Sequence, residues 1–419
     1  MKPHVFVFFP HNPYPPASGA HQRCLEVLRV LIDLDCEVTF LSATNSSDTP
    51  WEQASIDWLE GMGVAAVHVY RSPRWNSRLK AMLAKAYWMV NRRTGISRPI
   101  AVDSPWFTPP GMRRWFTHIV RQAKPDIMVM NYAHWDGLLQ EVRARFRIRI
   151  IDTHDLVSLN SAMRLVLAPR LAQPLVVENV PAAIVQEDFF AQQGVKASPD
   201  EFAVYDRYDY TLAISPGEAT IIAAHAPKTK VVLAPMTQPI PPLGNTYAAP
   251  PLFAAGATPL NLQGYLYLVK RVMPRVLREV PGFSLHVTGT IAKLLPATPE
   301  NGIVIRGFVP SIADVYATAG YAICPVLGRT GQQIKIVEAM AHGLPVVALS
   351  NTAAGSPLKH GVNGFIAEDA DSFARYLIEL WHDRALCRRL GEAARATIAT
   401  EHSSTHMRDL LSKLILPPP

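Results

Sequence analysis

The chain has 419 residues, with 41 Lys and Arg against 34 Asp and Glu, a formal net charge of +7. Hydrophobic residues make up 49% and charged residues 18%, which excludes a globally disordered chain and allows two or three buried cores. Four scattered cysteines without a CxxC pair (Cys24, Cys36, Cys324, Cys387) exclude a disulfide scaffold and a zinc ribbon, so a reducing, cytoplasmic setting is expected.

Residues 4–9 read as a buried strand closed by Pro10, too short for a secretory leader, and no window of about 20 apolar residues follows elsewhere. A loop carrying Pro10, Pro13, Pro15, Pro16 and Gly19 leads to a helix whose apolar positions are Leu25, Leu28, Leu31 and Ile32. Strands are expected at 37–42, 126–130, 147–151 and 211–214, and a strand-like run follows Gly63. Strands alternating with helices predict a parallel sheet covered on both faces.

Two stretches of this first half stand apart. Residues 61–102 hold no Asp or Glu but include Arg71, Arg74, Arg78, Lys80, Lys85, Arg92, Arg93 and Arg98. Leu79, Met82, Leu83, Ala86, Tyr87 and Val90 recur there at helical spacing, near Trp75 and Trp88. This pattern suits an anionic membrane surface met through 71–98, or a surface helix packed on the sheet. The apolar segment 165–184, broken by Pro169, Pro174 and Pro181, reads equally as a cleft element or a membrane element.

Pro235, Pro239, Pro241, Pro242, Pro250 and Pro251 mark 234–251 as a stiff linker rather than a packed element. Beyond it, strands are expected at 252–255, 283–288, 302–305, 321–325 and 346–349. Helices are expected at 265–280, 333–342 and over most of 372–414. The organisation expected is an N-terminal Rossmann-like domain (1–233), the linker (234–251), a C-terminal Rossmann-like domain (252–400), and a helix and tail (401–419) packing back on the first domain.

No GxGxxG follows a strand, and no P-loop, HExxH or EF-hand loop occurs, which argues against a dehydrogenase and a P-loop kinase. Asp33-Leu-Asp35 falls at a helix-to-strand junction, and Asp369-Ala-Asp371 suits a helix N-terminus. Neither reads as a metal site, and no other metal ligands are assigned. The most informative stretch runs from Leu327 to Val347: a strand ending at Pro325 leads into a loop with Gly328 and Gly331, then a helix from near Gln333. Free amides at that helix start beside glycines form an anion site. Arg329 and Lys335 would add charge for a diphosphate, and Glu338 would accept bonds from ribose hydroxyls. The same residues also describe an ordinary β–α–β unit with an exposed Glu338.

The run Lys335-x-x-Glu338-Ala-Met-Ala-x-Gly343-x-Pro345-Val-Val resembles the donor-site signature of family 4 glycosyltransferases of the GT-B fold. Pro15-Pro-x-Ser-Gly19-x-x-x-Arg23 is similar to that family's N-terminal glycine loop, and Gly256-Ala-Thr258-Pro-Leu-Asn261 with Pro274 to the start of its C-terminal domain. Arg306-Gly307-Phe308-Val is similar to its nucleobase-side loop, and Asp152-Thr-His154-Asp155 and Ser215-x-x-Glu218 to further family segments. The resemblance implies an α/β protein with two Rossmann-like α/β/α domains facing each other across a cleft. It implies retaining, metal-independent transfer from a nucleotide-sugar, as co-substrate and without another cofactor, to a glycan, lipid-linked or glycoconjugate acceptor. A place in surface-polysaccharide assembly follows, in the cytoplasm or on the inner face of the membrane.

Carried over by position, Glu338 would bind the donor ribose, while Gly331, Gln332 and Gln333 would lie over the diphosphate and sugar. Gly19, Gly256, Thr258, Arg306, Gly307, Phe308, Arg329, Thr330 and Lys335 complete the implied donor contacts. His154 would face the reacting centre with Lys335 and Glu338. His21, Arg23 and Asp155 are the implied acceptor contacts, with His11 a weaker one. Two departures stand out: Thr330 replaces a second glutamate common in the family, and Asn261 and Gln263 occupy a loop that often carries Arg and Lys. Lys270 and Arg271 come later, where the wrong helix face is the expectation. An epimerase or hydrolase of the same fold, a non-catalytic nucleotide-sugar binder and an inactive relative remain alternatives. Nucleic acid is not an expected partner, since the basic stretch carries no recognition motif.

Overall fold

The structure is a computed structural model that describes residues 2–16, 18–44, 50–71, 82, 101–171, 174–242, 245–328 and 331–416. Most of the basic stretch expected at 71–98, together with Arg329 and Thr330, lies outside the described residues. The chain divides into two units: 1–159 with 197–237 and 404–419, and 160–196 with 238–403.

The first unit holds a seven-stranded sheet of β1 (His4–Phe8), β2 (Glu37–Ala43), β3 (Ala66–Tyr70), β4 (Ile127–Asn131), β5 (Ile148–Asp152), β6 (Tyr210–Ala213) and β7 (Lys230–Leu233). Their order is β3-β2-β1-β4-β5-β6-β7, and every pair is parallel. The near-continuous apolar runs of β1 and β4 fit this, because a parallel strand is buried on both faces. Successive strands leave β1 in one direction up to β3 and, from β4 onward, in the other, so the order reverses between β1 and β4. The helix Gly19–Asp33 opens on Ser18, whose hydroxyl accepts from the His21 amide. Its buried face, including Leu25, Leu28 and Leu31, shares a core with Met407, Leu411 and Ile415 of the helix Ser404–Ile415.

The second unit holds β8 (Leu252–Ala254), β9 (Leu285–Thr288), β10 (Ile303–Gly307), β11 (Ala322–Cys324), β12 (Val346–Leu349) and β13 (Gly364–Ala367), in the order β10-β9-β8-β11-β12-β13. This sheet is also parallel, and its order reverses between β8 and β11. Asp369 caps the helix Ala370–His382 through a reciprocal pair with Ser372, the helix-start role read from the sequence.

Four sequence readings change. The apolar residues of 165–184 are accounted for by a core: Leu167, Leu171, Leu175, Val177, Val180 and Ile184 lie in that of the second unit. Lys270 donates to the Val177 and Val180 carbonyls at 2.9 and 2.7 Å, and Arg271 to Gln186 Oε1 at 2.6 Å. Both cations are thereby engaged by this strap, which removes them from a diphosphate-binding role. The stretch 234–251 is packed, because Tyr247 is buried with its hydroxyl on the Gly343 carbonyl at 2.8 Å, and Asn245 binds the Tyr316 carbonyl at 2.6 Å. The helix expected at 265–280 starts earlier, at Pro259, and passes through a π turn at Leu268–Val272. Pro274 explains the turn, since it brings no amide to the preceding helical turn and its ring crowds it. Strands β7 and β13 were not read from the sequence.

Candidate active site

In parallel α/β sheets, ligands bind outside the carboxyl ends of the strands where the strand order reverses. In the second sheet this point lies between β8 and β11. From β8 the chain enters the turn 255–258, where Asn261 Nδ2 donates to the Gly256 carbonyl at 3.0 Å and the Asn261 amide donates to Thr258 Oγ1 at 3.3 Å. Thr258 is thus the N-cap of the helix Pro259–Tyr267, a structural duty that the donor reading did not include.

From β11 the chain runs through Pro325–Gln333 into the helix Ile334–Ala341. Gly331 has φ +63°, a left-handed conformation that glycine adopts without a Cβ clash. Gln333 takes the N-cap position without a side-chain cap bond, and its carbonyl accepts from the Ile336 amide at 2.9 Å, which leaves the Ile334 and Lys335 amides as the first-turn donors that its side chain does not cap. Lys335 and Glu338, one turn apart, pair at 2.7 Å, and the Tyr316 hydroxyl stands 3.5 Å from the same Glu338 oxygen. Gln332 is buried, with its amide nitrogen 3.5 Å from His402 Nδ1. At the end of β10, Arg306 is exposed, Gly307 has φ +70°, and the Phe308 ring is 73% exposed. Sequence-distant Gly256, Thr258 and Gly331 to Glu338 therefore meet at two adjacent strand ends, whereas Arg306 to Phe308 lie two strands from β8.

The reversal in the first sheet lies between β1 and β4. Gly19, partly exposed, begins the helix that follows the β1 loop, and His21 is buried beside Phe9 and His11, with ring centroids 6.0 and 6.1 Å away. Asn131 ends β4 opposite Asp152 at the end of β5. The next residues depart from ordinary backbone: Tyr132 has φ +64° and His154 φ +53°. Their rings stack with centroids 4.4 Å apart. Two non-glycine residues in this region at neighbouring strand ends carry strain that surrounding structure must hold, a feature that concentrates at functional sites.

His154 Nε2 lies 2.6 Å from Asn131 Oδ1 and 3.7 Å from Asp152 Oδ2. Burial pushes the imidazole down to about 4, with the Asp152 carboxylate opposing and Arg23 and His11 adding to the depression. The ring is therefore neutral at pH 7. Burial would raise the Asp152 carboxyl, but the charge and hydrogen bond of the Arg23 guanidinium together with the contributions of His154 hold it below its ordinary range. Arg23 Nε contacts both Asp152 oxygens at 2.9 and 2.7 Å, and Nη1 donates to the Ala234 carbonyl at 2.7 Å.

Arg23 thus departs from the acceptor-contact reading. Its side chain and that of Asp152 are each 1% exposed, so it acts as an internal counter-ion. Asp155 follows His154 and is partly buried. Asn131 and Tyr132 were missed by the sequence reading. The signal available was a polar pair ending the apolar run 127–130, but which strand end it would face is a matter of tertiary pairing.

Residues 249–383 match the family described as Glycosyl transferases group 1. The chain is 30% identical over 134 residues to "Putative glycosyltransferase EpsD" of Bacillus subtilis, a match covering 31% of this chain and 34% of that protein. The match therefore spans about a third of the curated relative's length. Among solved structures, sucrose-phosphate synthase from Thermosynechococcus elongatus aligns over 99% of this chain and 98% of its own, with TM-score 0.60 and 13% identity. Anabaena HepE, solved in complex with UDP and glucose, aligns over 98% of both chains with TM-score 0.54 and 14% identity. At such identities the structural likeness speaks to the fold. Its two parallel sheets give the chain a GT-B-like fold, and within it residues 249–383 are the part that matches the group 1 glycosyltransferases.

Proposed function

We propose that the protein is a retaining, metal-independent glycosyltransferase that moves a sugar from a nucleotide-sugar to a glycan, lipid-linked or glycoconjugate acceptor. The observation that carries this reading is the turn from Gly331 to Glu338, at the strand-order reversal of the unit that matches the family. Glu338 accepts from the donor ribose hydroxyls, and the amides of the first helical turn meet the diphosphate. Lys335, half exposed, leaves Glu338 for a phosphate oxygen. The cost is small, because an ion pair of this exposure stabilises by only about 0.5 kcal/mol. As the sugar bond breaks, the departing diphosphate gains charge, and donors already fixed around it lower the barrier. Gly256 and Gln333 border this site, and Arg306, Gly307 and the exposed Phe308 supply the nucleobase side. Gly19, His21, His154 and Asp155 serve the reacting sugar and the acceptor from the first unit.

HepE, the structural neighbour solved with UDP-glucose, makes a uridine donor the first to try. Binding and slow hydrolysis measured over UDP-, GDP-, ADP- and TDP-sugars should single out one donor. Glu338→Ala and Lys335→Ala should each weaken its binding about tenfold, the loss of a charged hydrogen bond. Absence of binding at millimolar donor, or wild-type affinity in both variants, defeats the assignment. Acceptor transfer at a membrane is part of the same reading, resting on the basic sequence 71–98. Co-sedimentation with anionic vesicles should fall with salt and in an Arg92→Ala/Arg93→Ala variant. Among the described residues no helix is long and apolar enough to cross a membrane.

A further inference from the structure

Which nitrogen of His154 carries the proton follows from its neighbours. Asn131 Nδ2 lies 2.8 Å from the Phe8 carbonyl oxygen, an atom that can only accept, so this end of the amide must be the donor. The other end, Oδ1, is then the atom 2.6 Å from His154 Nε2. An amide oxygen only accepts, and Nε2 must therefore carry a hydrogen. Three neighbouring parallel strands set the arrangement: Phe8 ends β1, Asn131 ends β4, and His154 follows the end of β5. The Tyr132 ring stacked on the imidazole fixes its plane, and Asp152, Arg23 and His11 are the charged or titratable groups around it.

We propose that Asn131 is the positioning residue of His154: it locks the ring as the Nε2–H tautomer and so presents Nδ1 as a hydrogen-bond acceptor for a substrate hydroxyl. The inference rests on the functional reading above for the identity of the substrate, and on this geometry alone for the tautomer. A neutral ring of this kind accepts an O–H from the donor sugar or the acceptor, and it does not donate to a phosphate oxygen. The same tautomer logic governs histidines whose other nitrogen is held by a fixed acceptor.

The test uses the full chain labelled with 15N-histidine. Two-bond 1H–15N correlation spectra report which ring nitrogen is protonated, and the His154 signals are those lost in His154→Gln. At pH 7.5 the wild type should show Nε2–H alone. In Asn131→Leu, with the other histidine signals unmoved to show an intact fold, His154 should become a mixture of both tautomers. Asn131→Asp keeps an acceptor in place, so it should keep the tautomer while raising the pH at which the ring titrates. An Nδ1–H wild type, or an Asn131→Leu protein that stays wholly Nε2–H, overturns the proposal.

UDP-glucose hydrolysis then serves as the functional probe. Asn131→Leu should lower kcat about tenfold, the loss expected of one hydrogen bond in the reacting complex, while Asn131→Asp restores most of it and moves the acid limb of the pH profile upward. Weaker binding of UDP-glucose but not of UDP in His154→Gln places the hydroxyl on the donor sugar. Unchanged binding with reduced turnover places it on the attacking hydroxyl. Equal turnover by wild type and both Asn131 variants overturns the positioning role. A wild type that neither binds nor hydrolyses any nucleotide-sugar sinks the glycosyltransferase reading, while the tautomer result stands on the spectra.

Discussion

His154 joins three properties that the amino-acid identity alone does not imply: a left-handed backbone, burial, and a fixed amide partner. Burial lowers its titration to about 4 from 6.5, so between those values the unfolded chain binds a proton that the folded chain does not. Stability from this group is full above about 6.5 and is lost as the pH falls towards 4, amounting to about 3 kcal/mol across that window. Urea unfolding at steps between pH 7 and 4 should therefore show a shallower loss in His154→Gln than in wild type; equal slopes would contradict the assignment. Arg23 and Asp152 are coupled more strongly. Arg23→Ala leaves a buried carboxylate without its counter-ion and should cost about 3–5 kcal/mol, whereas replacing both residues with apolar side chains should cost much less. Urea denaturation of the two variants makes the comparison. Both His154 and Arg23 could be nominated from sequence motifs, but their opposite fates, ring at a strand end and guanidinium in the interior, depend on what folds over each.

The elements around the second site show where sequence patterns suffice. The helix Ile334–Ala341 was legible because a glycine-bearing loop precedes it and Gly343 ends it, with φ +74°. Its support was not legible. The helix Arg384–Glu401 approaches so closely that a Cβ on Gly391 would sit 2.0 Å from the Gly343 carbonyl oxygen and 2.9 Å from the Tyr247 hydroxyl. Gly391→Ala should push the two apart and destabilise the second unit by about 1–3 kcal/mol, with the loss of donor affinity following from the displaced helix end. Thermal unfolding with and without UDP-glucose separates the two effects. Unchanged stability would show that the turn yields freely. The helical stretch expected over most of 372–414 consists of three helices, because Asp383 caps a new helix by accepting from the Leu386 amide at 2.8 Å, and another begins at Ser404. Apolar spacing continues across such breaks, which is why periodicity alone did not show them. β7 and β13 were passed over because the first runs into the proline-rich stretch and the second opens on Gly364, so neither stands out as a strand from its flanks.

Taken as a chain, the molecule is divided differently from its linear order. Residues 160–196 lie between segments of the first unit yet belong to the second, and 404–419 belong to the first. The strap is held by Gln263 donating to the Ile184 carbonyl at 2.8 Å, by Tyr267 on Glu187 at 2.9 Å, and by Lys270 and Arg271. Its amides should exchange with the cooperative opening of the second unit. A core cavity made by Leu266→Ala, in the cluster that holds Ile184, should speed hydrogen exchange over 175–187. Met128→Ala in the first unit should leave that segment unchanged; the opposite pattern would assign the strap to the first unit. The parallel α/β class, the two sheets and the glycine-led helix after β11 were legible from the chain alone, since apolar runs, glycine turns and caps act over a few residues. Only the tertiary structure decided the ownership of the strap, the burial of Arg23 and the Asn131–His154 pair. Those depend on which strand ends become neighbours, and the contacts that fix this join residues far apart in the chain.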